Sequence, residues 1–343
     1  MGMREVQALD SGSVRVQPTD SRKTQQPSVQ ADLSAKTEGP KGDQLVLRDG
    51  QPCNKGKIPA SSDRTAFDDP PPKPHGKVSR KGTFYGYWGY NRAQYTNSDI
   101  HFKGSNFDFT LHDVKAADSP GGQSFKNARD FFSTLTVPQY NYRFGYYLED
   151  NTSISVGQDH MKYVVVNGQT TGMSGTISPE ASPEYSGMNQ HSSHDPDGHT
   201  PVVISPEFLE YEHCDGLNLV DVQLEKTQDI LTSRNGNHAL SLMGNVGAGV
   251  VVTDTEVKLF GEDRPKGFHL SGYGVSWGTG LRATVCRNFF VQGNLKAGYI
   301  NLPDVKFGDD RASQSFGYLE PSVVAGINVP LNGKKPKKQG PAG

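Results

Sequence analysis

Glu210-Tyr211-Glu212-His213-Cys214-Asp215 places an imidazole, a thiol and three carboxylates within six residues. A histidine flanked by acids can act as a general base, and acyl transfer is the chemistry such a set could run. His213, Glu212 and Asp215 are therefore the candidate catalytic group. In an extended chain successive side chains point to opposite faces, so Cys214 is not aimed with His213. The alternative role is a polar rim network that fixes the loop mouth. A second cluster, His191, His194, Asp195, Asp197 and His199, gathers three imidazoles and two carboxylates in nine residues. Such donors suit zinc or nickel, but the surrounding Ser/Pro/Gly-rich stretch holds them to no single geometry, and a solvated loop is the alternative. There is no phosphate-binding P-loop and no GxGxxG opening a helix. Gly272-x-Gly274 and Gly278-x-Gly280 lie in strand-like runs, where glycine relieves crowding. No cofactor is expected.

The elements that carry these residues alternate with period two. Tyr140, Tyr142, Phe144, Tyr146 and Leu148 share one face, opposite Asn141, Arg143, Gly145 and Tyr147. Leu240, Leu242, Val246, Val250 and Val252 oppose Ser241, Asn245, Gly247 and Gly249, and the same contrast recurs over 273–285, 289–299 and 319–329. The polar face is built of Gly, Ser, Asn and Gln with isolated charges, unlike the Lys, Glu and Thr of a solvated sheet. Small residues with a few opposite charges suit a cramped interior in which ions must pair. The apolar face carries Tyr and Trp toward strand ends, and runs of about ten residues match a tilted bilayer crossing. This predicts an all-β, closed antiparallel eight-stranded transmembrane β-barrel. Arg143, Arg282 and Lys296 are expected in its lumen with Asp159, Asp221, Glu225 and Glu320, paired and filling it, which argues against a general diffusion pore and leaves a narrow gated channel as the alternative. A soluble ligand-binding β-barrel, apolar side inward, is the competing architecture.

Charge and composition narrow the partners. A net charge of −2 argues against a nucleic-acid partner, and no apolar stretch approaches the ~18 residues of a membrane helix. All 14 Tyr and both Trp follow residue 82, so residues 1–82 bury too little to fold and are expected to form a disordered N-terminal extension. The barrel is expected over 83–331 and a disordered basic tail over 332–343. Met1-Gly2-Met3-Arg4 lacks an apolar core, so no export signal is legible. Cys53, Cys214 and Cys286 form no CxxC pair, and Cys286 reads as a small filler.

Short polar turns at 149–152, 233–237 and 287–288 alternate with longer connections at 97–137, 167–207, 261–267 and 307–314. This predicts eight strands near 84–95, 139–148, 153–166, 217–231, 238–254, 270–286, 289–301 and 316–329. Phe107-Asp108-Phe109-Thr110-Leu111-His112-Asp113-Val114-Lys115 also reads as extended and is assigned to the first long connection. The long connections are expected to be mobile extracellular loops.

Tyr87-Trp88-Gly89-Tyr90-Asn91-Arg92, Phe107-Asp108-Phe109-Thr110-Leu111-His112-Asp113-Val114, Val137-Pro138-Gln139-Tyr140-Asn141-Tyr142-Arg143, Gly157-Gln158-Asp159-His160-Met161-Lys162-Tyr163 and Tyr211-Glu212-His213-Cys214-Asp215-Gly216-Leu217-Asn218 carry a resemblance. Over 83–331 the chain resembles the small eight-stranded outer-membrane β-barrel proteins of Gram-negative bacteria. The resemblance implies the cell outer membrane and its lipid as surroundings, but no activity. Outer-membrane lipid A deacylases are small barrels with a His and a Ser two residues apart; here Asp215 stands at that place. The expected function is a non-enzymatic structural or surface-interaction role of a monomer, with an extracellular ligand met at 97–137 and 167–207. A lipid A or phospholipid hydrolase centred on His213 is the alternative.

Overall fold

A computed structural model describes residues 78–118, 139–187 and 198–331. The expectations for residues 1–77 and 332–343 fall outside them. The strands are β1 (Thr83–Asn91), β2 (Gln94–Tyr95), β3 (Ser98–Lys103), β4 (Phe107–Val114), β5 (Ala116–Ala117), β6 (Tyr140–Glu149), β7 (Thr152–Val165) and β8 (Thr170–Ile177). They continue with β9 (Thr200–Val203), β10 (Leu209–Thr232), β11 (Ala239–Leu259), β12 (Glu262–Asp263), β13 (Phe268–Val285), β14 (Phe289–Phe307) and β15 (Asp310–Pro330). Strands β1, β6, β7, β10, β11, β13, β14 and β15 pair antiparallel in that order. β15 then pairs back with β1, from Thr83↔Pro330 to Asn91↔Ser322. Eight strands close into a ring.

The ring turns its alternation inside out. Trp88, Val250 and Leu295 on its outer surface are 63%, 45% and 46% exposed, whereas Arg143 and Arg282 inside are 1% exposed. A soluble barrel would show the reverse, so this wall is built to meet acyl chains. No helix among the described residues is long and apolar enough to cross a membrane. Inward glycines leave room for large inward side chains. A Cβ on Gly145 would lie 2.2 Å from the Tyr85 ring.

Three short turns close one end of the ring. The turn between β13 and β14 has Cys286 and Arg287 in the left-handed region, at φ 52° and 67°, and the Cys286 side chain is exposed there rather than filling a gap. At the other end the strands outrun the expected lengths. β14 and β15 meet across Gly308–Asp309 in a two-residue hairpin, not a long connection over 307–314, because Val305, Phe307, Ala312 and Phe316 keep facing inward and are buried.

The long connections carry structure of their own where they are described. As expected, 107–115 stays out of the wall: β4 pairs with β3 and β8, β3 joins the upper end of β15, and β9 edges the group. This sheet folds over the barrel mouth. Phe102 meets Tyr211 at 5.5 Å between ring centres, Phe107 meets Phe260 at 5.9 Å and Phe109 meets Phe208 at 6.1 Å. The expected mobile loops are thus, in their described parts, one face of a β-sandwich whose other face is the upper ends of β7, β10 and β11.

Candidate functional site

Going up the lumen from the turn side, the first tier is aromatic. Tyr85, Tyr147 and Phe290 cluster there, and Arg282 lies over the Phe290 and Tyr85 rings at 4.2 and 5.1 Å. Its guanidinium donates to Tyr147 OH (2.5 Å) and Gln292 Oε1 (2.6 Å). It reaches no carboxylate within 4 Å among the described residues, so the expected ion pair is replaced by ring faces and neutral acceptors. Cation–π contacts hold a desolvated guanidinium well.

The second tier is ionic. Arg143 donates to Asp221 (2.5 Å) and stands 3.8 Å from Asp159, which accepts from Lys296 Nζ at 2.5 Å. Glu225 accepts from Ser155 Oγ (2.6 Å) and Glu320 from Asn91 Nδ2 (2.9 Å). The structure brings Arg143, Asp159, Asp221 and Lys296 into one chain of ion pairs. It leaves Glu225 and Glu320 in the same lumen on neutral donors. A space of water size lies between these side chains, lined by Tyr87, Asn141, Gln223, Glu225, Asn245 and Lys296 among others.

The third tier is apolar. Above the row Tyr140–His160–Asn218–Val252–Leu270, the interior holds Met161, Tyr163, Tyr211, Leu217, Phe316 and the aromatic roof of β3 and β4. His213 is fully buried in it, between Tyr211 and Tyr163 at 5.0 and 5.7 Å. Gln314 Nε2 donates to its Nε2 (3.2 Å), which leaves Nδ1–H to donate to Thr255 Oγ1 (2.9 Å). The network continues through Thr253 to Ser271 (2.6 Å). Burial pushes the His213 pKa down to about 3, so the ring is neutral.

The catalytic candidates therefore part company. His213 points into the core, while Asp215 faces outward and pairs with Lys266 (3.1 Å), which holds its carboxyl below the usual range. Glu212 sits half-buried opposite Glu256, and burial raises its pKa. Burial, with Glu212 beside it, pushes the Cys214 thiol up to about 12, far from a thiolate. Thr255 is the hydroxyl that touches His213, yet both are fully buried, with no exposure to a substrate. His213 is a core residue rather than part of an exposed rim.

Of the metal candidates, His191, His194, Asp195 and Asp197 lie outside the described residues. His199 stacks on His112 with ring centres 3.9 Å apart; His112 in turn meets Asp99 and Ser174. Among the described residues no three such donors converge on a metal position. Two fastenings went unseen in the sequence. Arg92 forms a two-pronged pair with Asp118 (2.6 and 2.7 Å), and Gln139 donates to the Asp118 carbonyl, which ties both feet of the 119–138 connection. At the turn side Arg80, just ahead of the first strand, bonds Asp229 and Ser241. Only parity could have flagged any of this: Tyr147 shares the inward face with Arg143.

No protein-family model and no curated protein matches the chain. Solved outer-membrane proteins are similar to it. The attachment invasion locus protein Ail of Yersinia pestis is 11% identical at a TM-score of 0.27, over 72% of this chain and 99% of that one. OprG of Pseudomonas aeruginosa is 10% identical at 0.33, over 74% and 98%. Neisserial surface protein A is 12% identical at 0.27, over 73% and 98%. The wall is that of a membrane-spanning antiparallel β-barrel. The likeness is confined to that architecture, which the lipid-facing belt and charged lumen of this chain support by themselves.

Proposed function

We propose that this protein is a sealed, non-enzymatic outer-membrane barrel that holds a folded platform above the lipid, with ligands or partners met at 97–137 and 167–207. The observation that carries the reading is the aromatic core over the lumen. A pore needs a continuous polar path, and here an ion-paired tier lies beneath a dry one. A hydrolase needs its base at a surface that substrate can reach, whereas His213 is neutral and enclosed. Outer-membrane lipid is the surrounding solvent, and a monomer suffices because through the apolar belt every wall strand among the described residues pairs on both sides.

Two assays on protein refolded into lipid test this. Vesicles carrying the wild type should swell in small sugars no faster than empty ones. Turnover of lipid A or phospholipid should be at background, and unchanged in His213→Ala. Sugar-dependent swelling, or turnover lost with His213, would overturn the reading.

A further inference from the structure

The lumen holds one carboxylate more than its cations answer. Arg143 is bonded to Asp221 and Lys296 to Asp159, while Arg80–Asp229 and Arg92–Asp118 each close on themselves. Arg282 and Glu225 add one charge of each sign. Glu320 is left over. It is 1% exposed, and although Lys296 stands opposite it in register, that ammonium is spent on Asp159. The charged groups that act on Glu320 are Asp159 on β7, Lys296 on β14 and Asp221 on β10, with Arg143 of β6 lying against both aspartates. Tyr318 on its own strand and Tyr95 on β2 are the phenols within its reach. A buried carboxyl group without a cation of its own keeps its proton rather than its charge.

The hydrogen bonds point the same way. Asn91 Nδ2 donates to Glu320 Oε1 at 2.9 Å. The other oxygen of each group, Glu320 Oε2 and Asn91 Oδ1, is buried and has no partner among the described residues. Two acceptors cannot satisfy each other, and buried polar atoms in folded proteins are paired. One hydrogen on Oε2 removes both vacancies, because a protonated carboxyl is donor and acceptor at once. An acid facing a carboxamide closes a ring of two hydrogen bonds, amide N–H to acid C=O and acid O–H to amide oxygen. Half of that ring is in place. Asn91 ends β1 and Glu320 lies on β15, so the ring bridges the seam at which the barrel closes.

We propose that Glu320 is a proton-binding site: a neutral carboxylic acid that donates to Asn91 Oδ1 and latches β15 to β1 from inside the lumen. In the unfolded chain an exposed glutamate is ionised at neutral pH, so folding takes up one proton here. Stability therefore falls as pH rises toward the point at which the fold gives that proton up. A sealed wall does not by itself require such a latch, so the inference goes beyond the sealed-platform reading.

The test uses infrared spectra in D2O of the full-length protein folded in a detergent without carbonyl groups, with folding verified by heat-dependent gel mobility. At neutral pH the wild type should show the carbonyl stretch of a protonated carboxyl group, and the band should vanish at alkaline pH. Glu320→Gln should lack it. Glutamine presents an amide N–H where the acid has its O–H, so this variant keeps the ring, and its urea midpoint should lose the wild type's fall between neutral and alkaline pH. Asn91→Ala keeps the acid but removes its acceptor, so there the band should persist at a higher frequency. Absence of the band from the wild type, an unchanged band in folded Glu320→Gln, the same alkaline fall in that variant, or an unshifted band in Asn91→Ala overturns the proposal. So does a midpoint that rises in sodium or potassium chloride over tetramethylammonium chloride at equal ionic strength, since a metal cation would then hold the place of the proton. None of these outcomes bears on vesicle swelling or lipid turnover, so failure here leaves the sealed-platform reading standing.

Discussion

On β7 the inward side chains from the turn side are Ser153, Ser155, Gly157 and Asp159, and then, with no change of parity, Met161, Tyr163 and Val165. Outward, Ile154 and Val156 are exposed, whereas His160, Lys162 and Val164 higher up are buried. One strand thus passes through two opposite partitions. Below Asp159 the polar side is buried and the apolar side exposed; above it the inward side is apolar and belongs to the aromatic core. The backbone is the same in both, so the difference lies in the medium outside the wall. Where acyl chains lie outside, burial selects polar residues that satisfy one another; where water lies outside, it selects aromatic and aliphatic ones.

The two halves should respond differently to damage. Arg143→Leu strands Asp221 in the lumen and should cost about 3–5 kcal/mol, as for a broken buried pair. Arg282→Leu loses two hydrogen bonds and ring contacts but leaves no carboxylate behind, and about 1–3 kcal/mol is expected. Urea midpoints of the refolded barrel measure both. Equal costs would show that Arg282 neutralises a carboxylate after all. In the upper half Phe102→Ala should cost about 3–5 kcal/mol through the cavity it leaves. Hydrogen exchange should then rise in β3 and β4 while the wall keeps its heat-dependent gel mobility. Loss of the folded wall would mean that the platform is no separate layer.

The outer face of β14 compares the halves at two heights. Leu295→Arg lies in the belt and should cost about 2–4 kcal/mol, whereas Lys306→Ala above it should stay within about 0.5 kcal/mol. A pH dependence is expected from the His213 ring in the upper half. His213 titrates at about 3 in the fold, against its ordinary 6.5. Below pH 6.5 the unfolded chain therefore takes up the proton first, and stability falls as pH drops toward 3, while above 6.5 it is flat. A loss on the order of 1–2 kcal/mol by pH 5 is expected, and His213→Gln should abolish it.

The lower half was legible in the sequence because it contradicts the soluble pattern: Arg143, Arg282 and Lys296 sit among Gly, Ser and Asn opposite an aromatic face. Its fine pairing was not, since Arg282 choosing Tyr147 over Glu225 depends on where rings stack across the lumen. The upper half was hidden because it obeys the ordinary rule. Without a sign that the medium changes, Phe307-Gly308-Asp309-Asp310-Arg311 reads as a broad loop. The β3–β4–β8 pairing joins residues far apart in sequence. His213 carried a usable signal, sharing parity with Leu209 and Tyr211, but its acidic neighbours outweighed it.

Trp88 and Trp277 are the chain's two tryptophans, and both stand exposed on the outward face, at 63% and 55%. Their fluorescence in reconstituted bilayers reports directly on what that face meets. Lipids brominated along the acyl chain should quench it strongly and aqueous iodide weakly. Quenching by iodide with no effect of bromolipid would place the apolar belt in water and contradict the inside-out wall.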